Sequence, residues 1–334
     1  MIKYACVLFM VVITACTTNY KKGEFKAPSR MLTSSTVIDR DSSILLGRLS
    51  SISGVINNAV YIFDPWGDFC YTKYDIAKNT TSRFCKRGQG PNEVVNVLSS
   101  ISLIGKENEN YISIFDNYQC KFLFFNENHV EDNNYTLEFP LLEKLMIADA
   151  FPINDSIVIA RGVFGKNICA FFLNGQGQGT FLEAFTKKGS DNLKRILKDG
   201  NKFVLSPNKD YLVRITQNGG LIEGYRIEGM QLIKQFSHNY FDVICDEKLS
   251  DTKDSRYGYI DAAMSDDKIY ALYDGGLVNR QKTYQSKMIH VYNNNGQLLE
   301  ILLLDKYVKS IGVDFRNKQI FAKSADYELL LFTL

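Results

Sequence analysis

The chain of 334 residues carries 39 Lys and Arg against 37 Asp and Glu, with 45% apolar and 13% aromatic residues. That composition supplies a sizeable core but no basic stripe able to displace phosphate counterions, so nucleic acid is excluded as a partner. The length admits two ordinary domains or one large β array.

At the N-terminus Lys3 gives a positive start and Ala5 to Ile13 an apolar stretch too short to span a bilayer, closed by Ile13-Thr14-Ala15-Cys16. This resembles the lipobox of a bacterial lipoprotein signal, which predicts a signal peptide over residues 1–15 and lipidation of Cys16. An ordinary secretory peptide with Cys16 incidental is the other reading. Cleavage removes Lys3, so the 39 basic residues fall to 38 against 37 acidic ones. Residues 16–33 are polar, carry Lys21, Lys22 and Lys26, and read as a lipidated cysteine with a flexible tether. Two acyl signals hold a protein stably on a membrane without any spanning helix. The first residues after Cys16 form no acidic run of the kind linked to surface export, Glu24 being the lone carboxylate before Arg30, so the expected location is the cell envelope, anchored to the outer membrane and facing the periplasm.

From residue 34 to 334 one pattern recurs. Short β-type runs end on a charged or small polar residue: AVYIFD at Asp64, YISIFD at Asp116, SIVIAR at Arg161, YLVR at Arg214, KIYALYD at Asp274 and QIFAKS at Ser324. The intervals are 52, 45, 53, 60 and 50 residues, the spacing of a solenoid, propeller or array. After AVYIFD come FCYTKYDI, the turn KN and TTSRFCK; after YISIFD, KFLFFN and YTLEFPL; after KIYALYD, MIHVYN, the turn NNNG and LLEILLL. β-branched and aromatic runs between Asn/Gly turns are meander signals, and helical periodicity surfaces only over 191–198.

The predicted fold is therefore all-β, a six-bladed β-propeller of four-stranded blades. Before the marker runs lie SSISG (50–54), SSIS (99–102), ADA (148–150), DAAMS (261–265) and KSIGV (309–313), small residues suited to innermost strands crowded around an axis. The sixth repeat ends at Leu334 one strand short. The strand-like stretch 35–47 is left to fill that gap, closing the ring by pairing N- and C-terminal strands and removing an exposed sheet edge.

Second-to-third-strand loops and blade-to-blade loops open on one face of a propeller. Asp64, Asp116, Arg161, Arg214 and Asp274 are expected there, with Trp66 of DPWGD, the one tryptophan, whose ring either stacks on a sugar or peptide or anchors its loop. The most distinctive string, Arg87-Gly88-Gln89-Gly90-Pro91-Asn92-Glu93, joins the first two blades. It either presents Arg87, Gln89 and Glu93 to a ligand or is a turn whose Arg and Glu bond neighbouring blades; no βαβ unit surrounds it, so it is not a dinucleotide fingerprint. Axial oxygens from Asp64, Asp116, Asp149, Asp261 and Asp274 offer calcium ligands, but Arg161 and Arg214 at the matching positions favour cross-channel ion pairs, and no metal site is assigned. His129, His238 and His290 are scattered, and Gly175 to Gly179 reads as a hairpin turn. No hydrolase, zinc-protease or P-loop motif occurs, and no cofactor is implied. Cys70 and Cys85 fall on one expected hairpin, with pairing left open.

A six-fold propeller pattern behind a lipobox, with GQGPNE at the first blade junction, resembles the TolB-like six-bladed propeller lipoproteins of Gram-negative envelopes. The resemblance extends over 34–334, although only GQGPNE is specific. It brings no catalytic residues, and it implies a lipid-anchored envelope protein that binds a ligand or protein partner with its loop face and performs no catalysis. The alternative it allows is a calcium-assisted hydrolase or lactonase acting at the central channel.

Overall fold

The computed structural model describes residues 25–38, 46–47, 49–90, 92–98, 100–106, 109–128, 130, 133–138, 146–164, 167–173, 182–183, 200–244, 250–278 and 284–334. Cys16, the helical stretch at 191–198, the glycine run at 175–179, His129 and Cys245 lie outside them.

The first two strands are β1 (Ser29–Leu32) and β2 (Ser35–Ile38). Blade one follows as β3 (Ser51–Ile56), β4 (Ala59–Phe63), β5 (Phe69–Asp75) and β6 (Thr80–Lys86). Blade two is β7 (Ser102–Lys106), β8 (Glu109–Asp116), β9 (Lys121–Asn126) and β10 (Asn133–Glu138). Blade three is β11 (Met146–Pro152), β12 (Ile157–Phe164), β13 (Asn167–Leu173) and β14 (Leu182–Glu183), and blade four β15 (Asn201–Leu205), β16 (Tyr211–Thr216), β17 (Leu221–Glu228) and β18 (Gln231–Asn239). Blade five is β19 (Tyr259–Met264), β20 (Lys268–Tyr273), β21 (Ser286–Asn293) and the first part of β22 (Leu298–Asp314). Across its 17 residues β22 pairs with β21 from Leu298 to Leu303 and again at Val308, and with β23 (Gln319–Ser324) from Val308, so one strand is the outer edge of blade five and the inner edge of blade six. β24 (Leu329–Thr333) follows, and its outer partner is β2, with Ser35 opposite Leu331 and Ile38 opposite Leu329. The N-terminal segment thus supplies the missing fourth strand.

The runs are apolar throughout, rather than alternating, because each blade is sandwiched between two others. Along a strand successive side chains point to opposite faces. In β4, Tyr61 and Phe63 enter a core shared with Ile112, Ile114 and Phe125 of blade two, while Val60 and Ile62 enter one shared with Phe321 and Leu329 of blade six. Val158 and Ala160 of β12 face Phe122 and Phe124 of blade two, whereas Ile159 faces Phe203 and Leu212 of blade four. In β16, Val213 and Ile215 meet Tyr259 and Ile269 of blade five. In β20, Tyr270 and Leu272 meet Ile311 and Ile320 of blade six. Six cores therefore alternate with six blades, and each buried large apolar side chain contributes about 1.5–3 kcal/mol.

The expected tether is partly docked. β1 pairs in parallel with β22, Ser29 opposite Ile301 through Leu32 opposite Leu304, adding a strand to the outside of blade five. Leu32 is buried in the core between blades five and six, and Phe25 packs against Tyr240, Tyr273 and His290 at ring separations of 4.7, 5.2 and 4.2 Å. Polar composition hides this attachment, since Phe25, Met31 and Leu32 are its few large apolar side chains.

Phe25 covers a buried ring cluster between blades four and five. His290 is fully buried, stacks on Tyr273, and its Nδ1 lies 3.3 and 3.4 Å from the hydroxyls of Tyr259 and Tyr292. Burial pulls its imidazole from the usual 6.5 down to about 3. The unfolded chain therefore takes up a proton below pH 6.5 that the folded protein refuses until about pH 3, and stability is lost as pH falls through that window. His290→Phe is expected to flatten the stability profile between pH 6 and 4 by about 1.4 kcal/mol per pH unit, read by urea titration. An unchanged slope would mean that His290 is protonated in the native state.

Candidate functional site

Asp64, Asp116, Asp274 and Ser324, at or just past the ends of their second strands, are loop caps. Arg161 and Arg214 lie inside β12 and β16, which run on to Phe164 and Thr216, and do not end them as expected. Asp64 Oδ1 accepts the Trp66 amide at 3.0 Å, Asp274 Oδ1 that of Gly276 at 3.1 Å, and Ser324 Oγ those of Asp326 and Glu328 at 3.1 and 2.9 Å. Short polar side chains that bond backbone two residues on replace the ladder where a strand stops, which is why Asp and Ser recur there. Asp116 goes further and is fully buried. Its Oδ1 takes the amides of Tyr118 and Gln119 at 2.9 and 3.0 Å, and its Oδ2 takes that of Val95 at 2.6 Å. It fastens the blade-two loop to the incoming chain from blade one and has no carboxylate oxygen to offer a ligand.

Arg214 is also withdrawn from the face, at 1% exposure. Nε donates to Asn201 Oδ1 at 2.7 Å and Nη1 to Glu223 Oε2 at 3.0 Å, inside blade four. Burial alone would raise the Glu223 carboxyl, but Arg214, Lys234 and the Tyr225 hydroxyl together bring it below its usual range. Arg161 is half-buried on the channel side, donating from Nη1 to the Asn201 carbonyl at 2.8 Å with Nη2 4.0 Å from Asp149 Oδ2. The two arginines are thus joined through Asn201, a link between blades three and four.

The Arg87 loop is a clasp. The guanidinium reaches the carbonyls of Gly67, Asp64 and Val95 at 3.3, 3.4 and 3.5 Å, tying the Trp66 loop to the blade linker. Glu93 folds back onto the Gly90 amide at 2.9 Å and pairs with Lys86 at 2.7 Å. A Cβ at Gly88 would lie 2.0 Å from Glu93 Oε2, so this close approach requires glycine. Of the string, Gln89 and Asn92 are left exposed. The arrangement matches the neighbour-bonding reading of Arg87 and Glu93. Cys70 and Cys85 sit on β5 and β6 beneath it, both buried and unbridged.

What the loop face does present is apolar. Trp66 is 79% exposed and Tyr118 72%, and Leu49, Phe69, Ile244, Leu277, Tyr284, Tyr307 and Tyr327 stand out on the same loops and linkers. Met31 on β1 is the one exposed large apolar side chain, among the described residues, that lies elsewhere. Lysines accompany the aromatics: Lys287 Nζ is 4.9 Å from the Tyr307 ring centroid, and Lys309 and Lys323 are 5.7 and 5.4 Å from that of Tyr327. Burial, helped by Lys309, brings the Lys323 amine down to about 8.

Of these side chains, Leu49 and Tyr284 reach the mouth of the central channel. A cavity of about 560 Å³ opens there, lined by Leu49, Ser50, Ser51, Gln217, Tyr284, Lys309 and Ser310, and Lys202 and Asp261 lie at its inner end. Lys202 pairs with Asp261 Oδ1, which also accepts the Ala262 amide at 2.8 Å, while Oδ2 accepts that of Ile311 at 2.9 Å. Lys202 also lines a second chamber of about 470 Å³ on the opposite, turn side, so this ion pair stands at the waist of the channel. Lys202 escapes the sequence reading because NKFVL, unlike the other inner strands, shows no run of Ser, Ala or Gly; the roughly 50-residue repeat interval was the available signal. Burial raises the Asp149 carboxyl, with Arg161 and a Ser100 hydrogen bond offsetting part of the shift. The five aspartates considered as calcium ligands are thus dispersed: three cap loops and two face cations. Among the described residues no three His, Cys, Asp or Glu side chains come together.

A propeller with an aromatic loop face and a charge-neutralised waist is the class these observations define. The sequence pattern of the TolB-like 6-blade propeller-like family matches residues 54–316, and the chain belongs to that family. No curated protein matches it by sequence. A solved Bacteroides fragilis NCTC 9343 protein, whose description assigns it to export, is 12% identical, with 92% of this chain and 99% of that chain covered and a TM-score of 0.53. A DUF4221 family member from Bacteroides vulgatus ATCC 8482 is 12% identical, with 90% and 95% covered and a TM-score of 0.51. Likeness at this identity speaks to fold alone.

The site geometry separates three substitutions. Arg214→Met is expected to cost about 3–5 kcal/mol, because Glu223 remains buried with one cation fewer. Arg87→Ala should cost about 1 kcal/mol through three long carbonyl contacts. Trp66→Ala should stay within about 0.5 kcal/mol of wild type in urea unfolding, and a loss as large as that of Arg214→Met would make Trp66 a packed anchor.

Proposed function

We propose that this protein is an exported, lipid-anchored binding protein of the bacterial envelope, held on the outer membrane through Cys16 and facing the periplasm, that engages a protein partner with its loop face and performs no catalysis. The observation that carries the reading is the gathering of exposed aromatic and aliphatic side chains on the loop face, while the rest of the described surface is almost bare of them. Monomeric proteins seldom leave such a surface uncovered, and aromatic residues beside lysine or arginine are the usual material of an interface centre. The rival reading, a calcium-assisted hydrolase or lactonase, asks for axial carboxylates free of cations, whereas Asp261 faces Lys202 and Asp149 faces Arg161.

The N-terminal attachment supports the anchored reading. Eight residues lie between Cys16 and Phe25, nine Cα-to-Cα steps with a reach of at most about 32 Å at about 3.6 Å per step. With Phe25 docked between blades four and five, that edge of the ring is kept beside the membrane, and the loop face is held at a limited range of heights above it.

Two measurements test the proposal. A photo-crosslinking amino acid placed at Trp66 or Tyr118 in the membrane-bound full chain should trap one partner, and the same probe at Asn208 on the turn face should not. Trapping equally from both faces, or from neither, would overturn the loop-face assignment. Cys16→Ala should release the protein from the membrane fraction, and retention there would remove the lipid anchor from the reading.

A further inference from the structure

The turn-side chamber differs in character from the loop-face mouth. Its volume of about 470 Å³ lies within the range of small-molecule sites. Val55, Ile101, Leu103, Phe151, Phe203 and Ile311 contribute to an apolar wall, and its inner end is neutralised by the Lys202–Asp261 pair. Within it Ser53 Oγ is buried without a hydrogen-bond partner.

Lys209 stands at the chamber's edge in the turn between β15 and β16. Its ammonium donates to the Pro152 carbonyl at 2.9 Å and makes no ion pair among the described residues, although it is largely enclosed. Burial draws the amine from 10.5 down to about 8, with Asp155 opposing from beyond ion-pair distance. Across the opening Arg316 likewise lacks a carboxylate partner among the described residues. The acids there are Asp314, whose oxygens take the amides of Arg316 and Asn317 and the Asn317 side chain, and exposed Asp266, which takes the Asn208 amide. An enclosed ammonium held by one neutral carbonyl keeps a desolvation cost that a bound anion would offset.

We propose that the turn-side chamber is a binding site for a small amphipathic organic acid, its carboxylate held by Lys209 and its apolar body lodged in the channel. Lys209 has two N–H groups left for the two carboxylate oxygens, and the Ser53 hydroxyl is a further donor inside the same chamber. Arg316 adds positive potential at the entrance and guides the acid inward. The site lies at the other end of the channel from the proposed partner surface and does not depend on it.

The test uses the full chain in lipid nanodiscs, with empty nanodiscs as the blank, titrated at pH 7 with 4-phenylbutyrate, 4-phenylbutanol and 4-phenylbutylammonium. Wild type and Lys209→Arg should bind the acid about tenfold more tightly than the alcohol and should not bind the amine. Lys209→Asn should lower affinity for the acid to that for the alcohol. Asparagine tolerates the left-handed backbone of this position, where φ is 60°, so the turn is retained and a matching melting temperature confirms it. Trp66→Ala should bind the acid as wild type does. Undiminished binding in Lys209→Asn, binding of the amine as well as the acid, no binding of the acid to wild type, or loss of binding in Trp66→Ala would each overturn the proposal.

Discussion

Every feature of this molecule depends on one packing constraint: a blade has no core of its own. Its sheet is apolar on both faces, and each face is buried only against the next blade. A side chain at an even position of a second strand and its odd-numbered neighbour therefore serve different cores, as Leu212 and Val213 do. The arrangement is satisfied only when the last blade meets the first. That role falls to Phe321 and Leu329, which share a core with Ile52, Val60 and Ile62, and to Gly312, where an added Cβ would lie 2.7 Å from Ile52 and 2.8 Å from Val55. The pairing of β2 with β24 covers the outer edge of the blade that would otherwise end exposed.

With the blades committed to their neighbours, ionisable residues are pushed to the axis or locked inside a blade. Charges in such places must be matched, because an unpaired buried ion costs several kcal/mol. Arg214 with Glu223, Lys202 with Asp261, and Arg161 beside Asp149 meet this condition in three different ways, from a fully buried pair to a half-open one. The channel is consequently not a row of available carboxylates. It is a neutral waist between two chambers, one opening among aromatic loops and the other among the turns.

The legibility of the chain follows from the same physics. Strands buried on both faces leave continuous apolar runs, so the six repeats and the missing outer strand could be read from spacing alone. Inner strands show as small residues in five blades, and in the sixth case NKFVL gives no such sign, so Lys202 stayed hidden. The polar residue at each marker position was visible, but its duty was not. An aspartate that binds a ligand and one that caps its own loop have the same sequence, and the difference lies in which amides surround it, as they do Asp116. Arg87 is similar: three carbonyls brought from Asp64, Gly67 and Val95 make it a clasp, and those partners are set by the loop conformation. The docking of β1 escaped because a four-residue strand in a polar segment carries no periodicity, and its stability comes from the edge of β22 that it finds.

The division between structural and presented residues gives the strongest guide to function. Nearly every polar side chain singled out by position is consumed in caps, clasps or ion pairs. The residues left over, Trp66, Tyr118, Leu277 and their neighbours, are of the kind that a folded chain normally hides. Selection for folding alone would not gather them on one face, since each exposed aromatic adds a risk of aggregation and brings no packing energy. Their concentration where loops are free to vary, above a ring whose rigidity comes from six shared cores, is the arrangement in which a binding surface can change without disturbing the scaffold.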